Sequence, residues 1–164
     1  MAHRLTGILL VGGESARFGS PKALATLDGE TLAERAWRLL GVCDARIAVG
    51  KELALPFDVL DDGNDLRAPI VGVVAGLRAA ETERCIVVPV DCPWLTPETV
   101  LLLGERVAVP QTGPLPGGYA KSMLPELERR VASGELSLRG VNENVVEIDE
   151  RELRDVDVPD DLCD

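Results

Sequence analysis

The chain has 164 residues, 46% of them hydrophobic and 27% charged, and sets 28 acidic against 17 basic side chains for a net charge of −11. That length suits a single domain with one core over residues 1–164, and the acidic balance argues against a nucleic-acid partner, which needs a basic face. The composition is globular, the apolar runs fall well short of the roughly 20 residues that cross a bilayer, and no cleavage site follows the N-terminal run, so neither a membrane span nor an export signal is expected.

The first apolar run, 5–11, reads as a buried strand and leads into LVGGESARFGSPKAL, residues 10–24. This stretch fails the P-loop pattern, because Gly13 and Gly19 are spaced too widely and Lys22 arrives late, and it fails GxGxxG because Gly12 and Gly13 are adjacent. Its place after a first strand still suits ligand chemistry, since glycine N–H groups there face a phosphate without a Cβ in the way. On residues alone it fits a phosphate cradle or a structural turn. Only three basic residues are lysines, Lys22, Lys51 and Lys121, which lifts Lys22 above surface filler.

Further along, Thr31 and Glu34 make a capping box for a helix over 32–40, with Trp37 expected to pack on the sheet. Strand-like runs follow at 45–49 and 57–60, and Pro69 is placed to open a helix over 70–80. The acidic loop between them, DDGNDLRAPIVG from 61 to 72, reads as mostly solvated. A central strand at 85–90 ends in Asp91, within VVPVDCPWLTPE. A carboxylate at that edge is either a Mg²⁺ ligand or a turn cap, and Trp94 is either core or the floor of a pocket. Thr96-Pro97-Glu98 begins another helix, 107–109 is a short strand, and QTGPLPGG at 111–118 is a loop. A helix over 122–133 ends at Gly134, with Arg129 and Arg130 read as a solvated face, and 145–148 is a last strand. The tail DVDVPDDL reads as a turn into a short helix. The alternation gives a three-layer α/β/α domain around a mostly parallel sheet with right-handed crossovers. The four cysteines, Cys43, Cys85, Cys92 and Cys163, form no CxxC pair and the one histidine is His3, so free thiols in a cytoplasmic, reducing setting are expected.

Together these stretches resemble the nucleotidyltransferases, and among them the molybdenum cofactor guanylyltransferase family of MobA-like NTP transferases. That family opens close to LAGGxSxRMGxxKAL; here Val11 replaces alanine and Phe18 methionine. DDGNDLRAPIVG is similar to its acidic residue and GPLxG loop, with Ala68 where glycine is usual. Asp91-Cys92-Pro93 matches its D-x-P metal motif, and DVDVPDDL resembles its closing segment. The resemblance implies a Rossmann-like nucleotidyltransferase fold. It implies that Val11, Gly12, Gly13, Ser15 and Gly19 hold a nucleotide, that Arg17 grips its phosphates, and that Lys22 stabilises the transition state. It further implies Asp61 near base and ribose, and Mg²⁺ on Asp91 and Asp157. The implied catalytic set is Arg17, Lys22 and Asp91, and the implied reaction joins GMP from GTP to molybdopterin with loss of pyrophosphate. CTP is the alternative nucleotide, because Asp155 and Asp157 stand where the guanylyltransferases usually show asparagine; another small phosphate acceptor or a catalytically reduced nucleotide-binding module are the alternatives that the middle of the chain leaves open. The interval 97–119 looks short for an acceptor pocket. A monomer or weak homo-oligomer is expected.

Overall fold

The computed structural model describes residues 4–12, 21–51, 53–156 and 162. The central sheet is built from β1 (Leu5–Leu10), β4 (Ala45–Gly50), β5 (Val59–Asp61), β6 (Arg84–Pro89) and β8 (Gly117–Ala120), in the order β5-β4-β1-β6-β8. Its pairs are parallel except β6 with β8, which is antiparallel. Two small ladders lie outside it: β2 (Thr26–Leu27) with β3 (Glu30–Thr31), and β7 (Val109–Pro110) with β9 (Val145–Val146). Among the described residues there are four α-helices, α1 (Leu32–Leu39), α2 (Pro69–Ala79), α3 (Pro97–Arg106) and α4 (Leu124–Ser133).

Every residue of β1 is buried, and successive side chains go to opposite faces. Leu5 and Leu9 join α1 and α3 in one core with Leu32, Ala36, Val100 and Leu103. Ile8 and Leu10 join α2 and α4 in the other, with Ile70, Val73, Leu77 and Leu127. Each buried leucine, isoleucine or valine, removed from water, contributes about 1.5–3 kcal/mol, so the three-layer arrangement is fixed by a strand that is apolar on both faces.

The helix starts follow their sequence signals. Thr31 caps α1 by accepting from the Glu34 N–H at 3.0 Å, and its hydroxyl donates to the Glu34 carboxylate at 2.9 Å. Thr96 caps α3 by accepting from the Thr99 N–H at 3.3 Å, with Pro97 in the first turn. Gly134 ends α4 in the left-handed region, at φ 80°.

Several expectations need correction. The segment 107–109 is not a strand of the sheet: Val107 is the left-handed cap of α3 at φ 49°, and Val109 pairs instead with Val145. The loop expected over 111–118 gives way at Gly117 and Gly118 to β8, the antiparallel edge beside β6. Glycine is required there by proximity, since a Cβ on Gly118 would run into the Leu103 carbonyl of α3. Arg130 is not solvated but 9% exposed. Its Nη1 donates to the carbonyls of Ser137 and Arg139 at 2.9 and 2.7 Å, which pins the chain after α4. The strand expected over 145–148 stops at Val146, and the helix expected in the tail falls mostly outside the described residues. Among the described residues no helix is long and apolar enough to cross a membrane.

Candidate functional site

A cavity of about 550 Å³ opens at the carboxyl ends of β1, β4, β5 and β6. An open parallel sheet places its ligand there, because strand ends and the turns that follow leave a crevice. Val11 and Gly12 enter from β1, Gly50 and Lys51 from β4, Asp62 from the turn after β5, and Asp91 from the turn after β6. Lys22, on the short 3₁₀ turn Lys22–Leu24, and Leu115, from the segment before β8, close the sides.

Lys22 Nζ lies 3.7 Å from Asp91 Oδ2, with the two side chains 13% and 27% exposed. A cation from the 3₁₀ turn and a carboxylate from the turn after β6 therefore face the same space, and β6 is itself paired with β1 along its whole length, from Leu5↔Arg84 to Leu10↔Pro89. The Asp91 turn is held on its far side by the Val156 N–H, which donates to the Asp91 carbonyl at 2.8 Å. The Cys92 thiol donates to Asp91 Oδ1 at 3.6 Å. Burial, reinforced by the neighbouring Asp91 charge, pushes that thiol well above its ordinary range, so Cys92 is a neutral donor and not a nucleophile.

At the opposite end Lys51 Nζ donates to Asp61 at 3.1 Å and to Asp62 at 2.8 Å. Asp62 is the less exposed partner, 12% against 67% for Asp61, and it is Asp62 that lines the cavity. Asp61 turns outward and accepts from the Gly63 N–H at 2.7 Å; that bond, with Lys51 second, holds its carboxyl below the usual range. The expected acidic residue therefore sits beside the cavity, and its neighbour sits in it. Lys51 carried the same signal as Lys22, being one of only three lysines in the chain. Two of those three line this one cavity, joined by Arg67, and they face Asp62, Asp65 and Asp91 across it, so in a chain of net charge −11 the cavity carries as many cations as carboxylates. Ala68, where glycine was the expected residue, has φ −127° and ψ 140°, extended backbone that alanine adopts without strain.

Of the residues singled out from the sequence, the structure brings Val11, Gly12, Lys22 and Asp91 to the cavity. Gly13, Ser15, Arg17, Gly19 and Asp157 lie outside the described residues. Trp37 is half-buried against the core formed by α1 and α3, stacked on Phe57 with ring centroids 4.4 Å apart and with Arg46 over its ring. Trp94 packs against the core formed by α1 and α3 and carries the Arg154 guanidinium 4.7 Å above its ring.

Among the described residues no three metal-ligating side chains converge. Mg²⁺ in phosphoryl-transfer sites does not need three: one or two carboxylates, with waters and substrate phosphates, complete its shell. Asp91, at the cavity rim beside an ammonium group, fits that requirement.

The chain is 33% identical to the molybdenum cofactor guanylyltransferase of Desulfosudis oleivorans over 93% of this chain and 85% of that protein. It is 31% identical to a probable molybdenum cofactor guanylyltransferase of Aquifex aeolicus, over 91% and 82% of the two chains. The solved structure of molybdopterin-guanine dinucleotide biosynthesis protein A from Archaeoglobus fulgidus superposes with a TM-score of 0.77 at 25% identity, covering 96% of this chain and 95% of that one. A cytidylyltransferase for 2-C-methyl-D-erythritol 4-phosphate from Thermus thermophilus shares the fold, with a TM-score of 0.73 at 17% identity over 95% and 94% of the two chains. Residues 7–147 match the family model of the MobA-like NTP transferase domain. A cation and a carboxylate facing one cavity at the carboxyl edge of the sheet, and this match across most of the chain, make the protein a member of the MobA-like NTP transferase family, a nucleotidyltransferase.

Proposed function

We propose that the protein transfers a guanylyl group from GTP to the terminal phosphate of a molybdopterin-class acceptor, releasing pyrophosphate. The observation that carries the reading is the Lys22–Asp91 pair, 3.7 Å apart at the rim of the cavity, in a chain whose relatives are named for guanylyl transfer. An oxygen of the acceptor phosphate attacks the α-phosphorus of GTP. The bond from that phosphorus to the bridging oxygen of the β-phosphate breaks, and the electron pair leaves on pyrophosphate. No protein nucleophile is needed, so positioning and charge neutralisation are the protein's contribution. Lys22 offsets the charge that builds on the transferring group, and the Gly12 backbone admits the phosphates without a side chain in their way. Asp91, with Asp157 as its proposed companion, would hold Mg²⁺, which when bound neutralises phosphate charge and orients the leaving group. Asp62 and Lys51, at the far end of the cavity, are suited to the nucleoside.

The test is pyrophosphate release on mixing the protein with GTP, MgCl₂ and molybdopterin. Lys22→Ala and Asp91→Asn are each expected to lower kcat by about a hundredfold or more. Pyrophosphate released with CTP but not with GTP would move the base assignment to cytidine, the choice favoured by Asp155 and Asp157 in the tail.

A further inference from the structure

The turn that carries Asp91 has no ladder partner of its own between Asp91 and Trp94, yet it receives a hydrogen bond from α1, the first helix after Lys22 and the β2–β3 ladder. Arg35, on the first turns of α1, donates its Nε–H to the Pro93 carbonyl at 2.7 Å across 58 positions of sequence. The helix it stands on is tied in turn to the lysine. The Leu32 N–H at the start of α1 donates to the Ala25 carbonyl at 2.8 Å, and the Ala25 N–H donates to the Lys22 carbonyl at 3.1 Å. Three hydrogen bonds and the first turn of α1, which carries Leu32 and Arg35, thus connect Lys22 to Pro93, two residues from Asp91. The other candidate partner of Arg35 is Glu30, and it is the weaker one: Glu30 lies 3.9 Å from Arg35 Nη1 but 2.6 Å from Arg38 Nη2. The Pro93 carbonyl is therefore the main engagement of a side chain that remains one quarter exposed.

We propose that Arg35 is a positioning residue that sets the spacing between the Lys22 ammonium and the Asp91 carboxylate. It touches neither nucleotide nor reacting atoms. Its guanidinium has a planar, directional donor that a lysine ammonium does not reproduce. Releasing Pro93 lets the Asp91 turn drift relative to Lys22, while the nucleoside end of the cavity, built on β4 and the turn after β5, stays in place. The consequence is a defect in divalent-ion binding and in kcat, with nucleotide binding spared. The proposal rests on the nucleotidyl-transfer reading above.

The test compares Arg35→Met, Arg35→Lys and, as a control on the neighbouring guanidinium that shares Glu30, Arg38→Met. Two readouts are taken. Steady-state pyrophosphate release gives kcat and the KM for GTP. Titration of MnCl₂ into GTP-loaded protein, followed by Trp94 fluorescence in a Trp37→Phe background, reports ion binding next to Pro93 without turnover; the chain has only these two tryptophans. Arg35→Met is expected to lower kcat by about tenfold and to raise half-saturating Mn²⁺ several-fold, with the KM for GTP within about twofold of wild type. Arg35→Lys is expected to recover part of both, and Arg38→Met to change neither. Unchanged kcat and Mn²⁺ binding in Arg35→Met would overturn the proposal. So would a loss that raises the KM equally and follows a lowered melting temperature, since that marks general destabilisation. If wild type releases no pyrophosphate from any pairing, the transfer reading falls, and the Mn²⁺ titration alone then decides whether Arg35 positions Asp91.

Discussion

A Cβ placed on Gly50 would lie 2.6 Å from the amide nitrogen of Gly12, so the end of β4 and the start of the glycine loop cross with no room for a side chain between them. The Gly50 backbone is also at φ 153°, a region in which side chains are rarely found. Gly50→Ala must push the two backbones apart at the mouth of the cavity. We expect a destabilisation of about 1–3 kcal/mol together with a raised KM for the nucleotide. Denaturant melts paired with nucleotide titration check this, and an unchanged KM would show that the crossing does not shape the site.

The tail is fastened to α3 by one carboxylate. Glu152 accepts from the Thr96 N–H at 2.8 Å and from the Thr99 hydroxyl at 2.9 Å, and four residues later Val156, fully buried, donates to Asp91. Glu152→Ala leaves a helix N-terminus short of an acceptor, and a loss of about 1–3 kcal/mol in urea unfolding is expected. A wild-type midpoint in the variant would remove Glu152 from this role.

Acid stability should carry a contribution from α4. Glu126 is held down to about 2 from its ordinary 4.5, first by its hydrogen bond with Arg129 and then by that with Arg130. A depressed carboxyl stabilises the fold above its ordinary value and loses that contribution as pH falls toward the folded one. The melting temperatures of wild type and Glu126→Gln should therefore differ most above pH 4.5 and converge by about pH 2. Because Glu126 is solvent-facing, the gap should shrink with added salt. A gap that persists at the lowest pH would argue against the ion pair as its source.

Thiol chemistry supplies an alkaline test. Burial raises Cys43 to about 12 and Cys85 to about 11 from an ordinary 9.0, with the nearby Asp44 charge adding to Cys43. A raised value favours the folded state below 9.0, and this preference is lost as pH climbs toward 11 to 12. In a Cys163→Ala background, a thiol-directed disulfide reagent should react slowly with native protein at mildly alkaline pH and at once after unfolding. Rapid native labelling would mean that these sulfurs are not shut away from water.

How much of this could be read in the residue order depended on where the information sits. The strand β1 was legible because both of its faces are buried and its residues are uniformly apolar, and α1 because Thr31 and Glu34 are local to the helix they cap. The strand β8 was not, since GGYA carries no strand pattern. Its glycines answer to the Leu103 carbonyl, a contact visible only after α3 is in place. Arg130 was misread as half of a solvated pair with Arg129. Adjacent helix positions point about 100° apart, and only one of the two faces the carbonyls of Ser137 and Arg139. At the site, Asp91 follows a strand recognisable from its own apolar pattern, and Lys22 stood out as one of three lysines in the chain. Asp61 and Asp62 differ by a single step of a strand end, and only the fold decides which turns inward.

The position of β1 in the middle of the sheet sets an order of events during synthesis. Its first partner, β4, follows within fifty residues of the start of the chain, but the partner that brings Asp91 does not begin until Arg84. A ribosome-bound chain that has released only its first 51 residues holds the glycine loop and Lys22 with nothing on the opposite wall. Non-local pairing of this kind pays its closure entropy before any contact rewards it, so nucleotide capture has to wait for β6 to dock rather than help the early strands to fold.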